Sequence, residues 1–167
     1  RVFLAAPRTY LGEDVCGTLR RRPAPEETPA GPRFRALLGE ESPSRPMLVK
    51  RRLDEALLAA GVEFLYGCLP TDLLRDDAGN PAGIVMANRN GRQAVRSKII
   101  IDATDRAAVA RLAGARFRPY PAGTQSFRWV VVGGAPRPAE GCDVRQLEGH
   151  TAGQNAYEYT LHIAMEG

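Results

Sequence analysis

An α/β fold is the expectation for this chain of 167 residues, and three stretches carry it. The first is the β-branched run Ile99, Ile100 and Ile101, which stops at the polar turn Asp102-Ala103-Thr104-Asp105-Arg106 and leads into a helical pattern over 107–113. A continuous run of this kind suits a parallel strand covered on both faces, and in open α/β sheets ligands sit beyond the carboxyl ends of such strands. The second is an amphipathic helix after Pro46 that returns the chain to a short strand at 62–66. The third is a set of three β segments between that strand and the isoleucine run. Function is therefore sought around 102–106, where Thr104 or Asp105 is also an ordinary candidate for a helix N-cap.

Taken in order, 2–6 (Val-Phe-Leu-Ala-Ala) reads as a buried strand that gives way to a loop at Pro7. Between 20 and 45 the six residues Pro23, Pro25, Pro29, Gly31, Pro32 and Pro43 predict a long loop, with one helical turn around 34–38. A loop of this length in a compact protein is usually a functional insertion or a mobile segment. In the helix that follows, Val49, Leu53, Ala56, Leu57 and Ala60 share one face, while Lys50, Arg51, Asp54 and Glu55 lie on the other, and Gly61 ends it.

Strands are expected at 72–75, 82–88 and 93–102. The first two are joined by Asp76-Asp77-Ala78-Gly79-Asn80-Pro81 and the last two by Asn90-Gly91, a two-residue hairpin signal. After Gly114, strands are expected at 115–120, 125–133 and 157–165 as a second, antiparallel layer, with 134–153 mostly loop.

Bulk properties narrow the classes. A hydrophobic content of 44% is enough for a real core. The net charge of +4 does not mark a nucleic-acid binder: all but Lys50 and Lys98 of the 23 basic residues are Arg, they are scattered, and the densest run, Arg20-Arg21-Arg22, has no aromatic stacking partner nearby. No apolar run approaches the ~18 residues of a membrane span. Cys16, Cys68 and Cys142 are an odd set without C-x-x-C spacing, and His150 and His162 add no ligand cluster, so neither a disulfide framework nor a metal site is expected. Both ends of the chain fall directly against apolar runs, which reads as a piece of a longer protein; no cellular location follows, beyond a slight leaning to the cytoplasm.

A helix, a strand introduced by Gly-Val-Glu-Phe-Leu-Tyr-Gly, a three-stranded meander, and then Ile-Ile-Ile-Asp-Ala-Thr leading into a helix: in this order the series resembles the FAD-dependent oxidoreductases of the glutathione-reductase-like superfamily with two dinucleotide-binding domains. The resemblance covers about 1–133. It implies a partial FAD-binding, Rossmann-like domain over 1–114, with the proline-rich insertion at 20–45 and the meander at 71–97. The start of an antiparallel, substrate-side sheet follows over 115–167. In this family a G-x-G-x-x-G turn precedes a second strand that 1–6 resembles, so the turn is expected upstream.

The resemblance also implies cofactor contacts. The end of the second strand, at Ala6, faces the ribose, with Arg8 near the adenosine or a phosphate. Gly12, Glu13 and Asp14 resemble the glycine-containing loop under the cofactor, with Cys16 after it. Leu69, Pro70 and Thr71 stand where the first meander strand meets adenine, although Pro70 has no N–H to donate. Ala103, Thr104 and Asp105 resemble the Ala-Thr-Gly motif that closes the site, with Asp105 in place of the usual glycine. Hydride transfer between FAD and a small-molecule substrate is the implied activity, without a general base that the sequence identifies, and the fragment alone is expected to be inactive. Two other readings stay open, a non-catalytic α/β binding module and a nicotinamide-binding domain.

Overall fold

The computed structural model describes residues 1–19, 45–149 and 153–166. The proline-rich stretch at 20–44, with the helical turn expected at 34–38, and His150 lie outside the described residues. The chain forms two compact units, Arg1–Leu11 with Leu57–Arg118, and Gly12–Ala56 with Pro119–Gly167.

The first unit opens with strand β1 (Phe3–Ala6), which pairs in parallel with β2 (Glu63–Tyr66) from Phe3 opposite Glu63 to Ala6 opposite Tyr66. Parallel neighbours need a crossover, and helix α2 (Pro46–Ala59) supplies its return limb. Proline at the first helical position loses nothing, because that N–H has no partner inside a helix. The other end closes with the Val62 N–H on the Leu57 carbonyl and the Gly61 N–H on that of Leu58, the bond pair of a Schellman stop. Of the face read from the sequence, Val49 is buried and Leu53 and Leu57 are half-buried, while Ala56 and Ala60 stay exposed.

The meander is present: β3 (Leu69–Arg75), β4 (Pro81–Asn88) and β5 (Gly91–Arg96) pair antiparallel in that order. At the β3–β4 turn the Asp76 carboxylate accepts the N–H groups of Ala78 and Asn80, a local ring that fixes the loop. Gly83 in β4 allows a close approach no other residue would: a Cβ there would collide with the Val95 carbonyl of β5.

Of the expected strands, 93–102 is cut short and 115–120 is absent. β5 ends at Arg96, opposite Gly83, and 99–104 has no regular structure; Ile99 and Ile101 are 78% and 86% exposed. A β-branched run becomes a buried strand only when neighbours supply both a ladder and a covering layer, and among the described residues no strand pairs with it. Residues 115–120 are likewise irregular and exposed. Pro119 and Pro121 remove two ladder donors and restrict the residues before them. Between these stretches lies the short helix α3 (Ala108–Leu112), which packs against β3 through buried Val109.

The second unit holds the one-turn helix α1 (Glu13–Cys16), most of α2, and a sheet of β6 (Gly123–Val132), β7 (Cys142–Gln146) and β8 (Ala156–Met165). The order is β6-β8-β7, all antiparallel, so β8 is central. The antiparallel layer is as expected, except that β7 arises inside the stretch expected to be loop: only Cys142 and Val144 are apolar in that segment, too few for a visible alternation.

Candidate functional site

The corner ahead of α3 is built around Asp102. Its Oδ1 accepts the Thr104 N–H at 2.9 Å and the Thr104 hydroxyl at 2.7 Å, and its Oδ2 accepts the Ala110 N–H at 2.8 Å. The Thr104 hydroxyl oxygen in turn accepts the Ala108 N–H at 2.7 Å. Two of the helix's first donors are thereby satisfied from residues upstream of the cap position. Desolvation pushes the Asp102 carboxyl up, but the hydrogen bonds from Ala110, Thr104 and Val109 outweigh it and hold the group below its ordinary value.

Thr104 therefore serves the helix start as expected, whereas Asp105 does not cap it. The cap position falls on Ala107, two residues beyond Asp105, because the backbone turns there in the left-handed region with φ 49° and ψ 47°. Ala103 and Asp105 are exposed and Thr104 is half-buried.

The same unit brings the end of β1 to the start of β3. The Cys68 N–H binds the Ala6 carbonyl at 3.0 Å and the Gly67 N–H binds the Arg8 carbonyl at 3.0 Å, so Arg8 lies at the entry to Leu69, Pro70 and Thr71. Leu69 and Thr71 are exposed and Pro70 is half-buried. The ladder slips between Pro70 and Asp72, leaving Thr71 as the extra residue of a bulge; its hydroxyl turns back to the Val85 carbonyl at 3.3 Å. Beneath this junction Cys68 is fully buried, and its sulfur takes the Asn88 side-chain N–H at 3.5 Å.

Gly12, Glu13 and Asp14 belong to the second unit. Gly12 has φ 79°, and a Cβ on it would stand 2.9 Å from Leu53 Cδ1 and 3.4 Å from Val49 Cγ1. The glycine lets this loop lie flat on α2, a packing role that the sequence did not reveal. Cys16, next on α1, is buried and gives its thiol hydrogen to the Pro46 carbonyl at 3.4 Å. Burial raises its pKa and the nearby Lys50 ammonium opposes the rise, so the thiol is a poor nucleophile.

A family model described as FAD dependent oxidoreductase matches residues 10–128, well over half of the chain. The chain belongs to the FAD-dependent oxidoreductases. The cofactor of this family is FAD, its members are oxidoreductases acting on small molecules, and the α/β fold with its parallel β1–β2 pair and inserted meander is that of a partial Rossmann-like FAD domain. No curated protein matches the sequence.

The first unit presents an exposed bulged strand edge at Leu69 to Thr71, with Arg8 beside it, and the small exposed Ala103. The start of α3 is different. Its N–H groups on Ala108 and Ala110 already serve Thr104 and Asp102, so the corner closes on itself and holds no phosphate through those donors. Among the described residues no group of three metal-ligating side chains occurs, and no helix is long and apolar enough to cross a membrane.

The sheet of the second unit presents two chemically different faces. Phe127, Trp129, Val131 and Ile163 alternate onto one face and are exposed there, and a cavity of about 440 Å³ is lined on that face by Trp129, Cys142, Tyr159 and Leu161. On the opposite face Ser126, Asp143 and His162 meet in one hydrogen-bonded row. Thirty-six residues of sequence separate Ser126 from His162, and the strand that carries Asp143 was not expected; only the strand register brings the three together.

Proposed function

We propose that this chain contributes the adenosine-side wall and the closing corner of an FAD site, and the first strands of the sheet over which a small-molecule substrate is oxidised. Residues 1–114 serve the cofactor and 115–167 the substrate. The observation that carries the reading is the junction of the β1 end with the bulged start of β3.

Each set of residues has a distinct task. Arg8 supplies positive charge beside the ribose or a phosphate. Leu69, Pro70 and Thr71 meet the adenine edge, through the Pro70 carbonyl and the backbone groups that the bulge frees at Thr71. Ala103, Thr104 and Asp105 give a small-residue approach, with Asp105 directed away from any phosphate because like charges repel. Gly12, Glu13 and Asp14 form the loop under the cofactor, held flat on α2 by the absence of a side chain at Gly12. FAD, when bound, supplies a two-electron acceptor for a hydride leaving a substrate carbon. The chain's own part is to position and to exclude water.

No two glycines of the sequence are separated by a single residue, so the chain contains no G-x-G-x-x-G turn of its own. That turn and the helix after it are what cradle a pyrophosphate. The 167-residue chain by itself is therefore inactive and gives no saturable quenching of FAD fluorescence; tight binding by this chain would refute the claim that an essential half-site is missing. The product of the complete reading frame is expected to show flavin absorbance in its visible spectrum. If it shows none even after FAD is added, the flavin reading fails.

A further inference from the structure

Across one face of the β6-β8-β7 sheet, three strands each place one polar side chain in a single row. Ser126 Oγ on β6 lies 3.1 Å from His162 Nδ1 on β8, and His162 Nε2 lies 3.0 Å from Asp143 Oδ2 on β7. A carboxylate only accepts hydrogen bonds, so the ring nitrogen facing it carries the hydrogen. In the neutral ring the other nitrogen then presents its lone pair to the serine hydroxyl. Donor follows acceptor from Ser126 through His162 to Asp143.

Strand ladders set this geometry. Ser126 and His162 are register partners, and the His162 N–H points the other way, to the Gly141 carbonyl at 3.0 Å. The 126/162 pair is thus of the narrow, non-hydrogen-bonded kind in which opposed side chains come closest. Asp143 pairs with Thr160, two residues along β8, and reaches His162 on the diagonal. The row is open to solvent, with side-chain exposures of 40% at His162 and 84% at Asp143. The charged neighbours on this face are Arg128 on β6, Glu158 on β8 and Arg145 on β7, the last two paired with each other at 2.6 Å.

A hydroxyl, a base within reach of its proton, and a carboxylate that orients the base are the parts of an activated nucleophile. We propose that Ser126 is an acyl-accepting nucleophile toward small, activated carboxylic esters, with His162 as its base and Asp143 holding the imidazole. Ser126 Oγ bonds to the acyl carbon while its proton passes to His162 Nδ1, and the Asp143 carboxylate stabilises the imidazolium. The bond from the acyl carbon to the leaving oxygen then breaks, and that oxygen takes the proton from Nδ1 and departs as an alcohol. Water, deprotonated by the same nitrogen, cleaves the acyl-serine and releases a carboxylic acid. The net change is ester plus water to acid plus alcohol, without any oxidant. The cavity opens on the Trp129 and Tyr159 face, and of the three residues of the row only His162 is among its lining, so the row accepts short acyl groups with good leaving groups, and acylation exceeds turnover.

The chain is treated with p-nitrophenyl acetate and, separately, with a fluorophosphonate, and the adduct is located by intact-mass and peptide mass spectrometry. One adduct per chain on Ser126 is expected. Ser126→Ala should abolish it, Asp143→Asn should slow it at least about tenfold, and His162→Gln about a hundredfold or more, the range general bases contribute. Far-UV circular dichroism checks that each variant folds. A second variant guards against a misfolded sheet: in Ser126→Cys the new thiol should be acylated faster than Cys142, and His162→Gln should remove that advantage. Adducts confined to other residues, labelling of Ser126 that is indifferent to His162, or a Cys at 126 no faster than Cys142 would each overturn the assignment.

Discussion

Asp102 Oδ2 accepts the backbone N–H of Ala110, eight residues further along the chain, at 2.8 Å. That bond closes the corner in which the sequence locates the chemistry, and it assigns the carboxylate to the fold. Replacing Asp102 by Ala removes the acceptor for the Ala110 and Thr104 N–H groups. Loss of a helix cap costs ~0.5–2 kcal/mol, which for a domain of this size is a drop of a few degrees in melting temperature. Thermal unfolding followed by circular dichroism measures it, and a change of less than about one degree, below the low end of that range, would show that the corner stands without this carboxylate.

The same group makes part of the stability depend on pH. Its folded-state pKa lies below its unfolded value, because the hydrogen bonds favour the charged form over the cost of desolvation. Its contribution is therefore fully present above the ordinary carboxylate range near ~4 and fades as pH falls through the depressed folded value. Asp76, held down mainly by the Asn80 N–H, adds a contribution of the same sign. Denaturant midpoints between about pH 6 and about pH 3, which bracket the ordinary carboxylate value, should fall less steeply in Asp102→Asn than in the unmodified chain. Parallel slopes would contradict the linkage.

Ala107 occupies the left-handed region at φ 49°, where a Cβ crowds the neighbouring carbonyl. Ala107→Gly relieves this strain and should stabilise the chain by ~0.5–1 kcal/mol after the extra backbone entropy of glycine is subtracted. Ala107→Val should destabilise it by a similar amount or more. Urea titration of the two variants separates them, and an order opposite to this would mean that the turn is not held in that conformation.

Gly12 gives a sharper test of its two roles. Its φ is 79°, and Leu53 Cδ1 lies only 2.9 Å from the point a Cβ would occupy, so Gly12→Ala strains both the backbone and the packing. A loss of ~1–3 kcal/mol is expected. Shortening the obstructing side chain in Gly12→Ala/Leu53→Ala should show coupling between the two sites in a double-mutant cycle. Additive losses would place the cost of the first change outside this contact.

At Gly83 no relaxation of a side chain can help, since the obstruction is the Val95 backbone carbonyl in the neighbouring strand. Gly83→Ala should therefore part β4 from β5 locally. Hydrogen exchange should then quicken at the amides of that ladder, whereas Gly61→Ala, with open space around it, leaves exchange in the meander unchanged.

Much of this protein was legible in its residues. The 3.6-residue spacing of Val49, Leu53 and Leu57, with Pro46 before and Gly61 after, determined α2, because these signals act within a few residues of where they stand. Asn90-Gly91 determined the β4–β5 hairpin for the same reason, and the chain order of helix, strand, meander and corner determined the family. Tertiary structure alone decided whether each apolar segment found a partner. Ile99 to Ile101 has the composition of a buried strand, yet pairing is a property of two segments, and here the second is not among the described residues. Cys142 to Gln146 has little strand character of its own and becomes β7 because β8 offers it an edge. The row of Ser126, His162 and Asp143 belongs to this second kind. Side chains far apart in sequence become neighbours through ladder register, which is set by pairing across the whole sheet and leaves no local mark in the sequence.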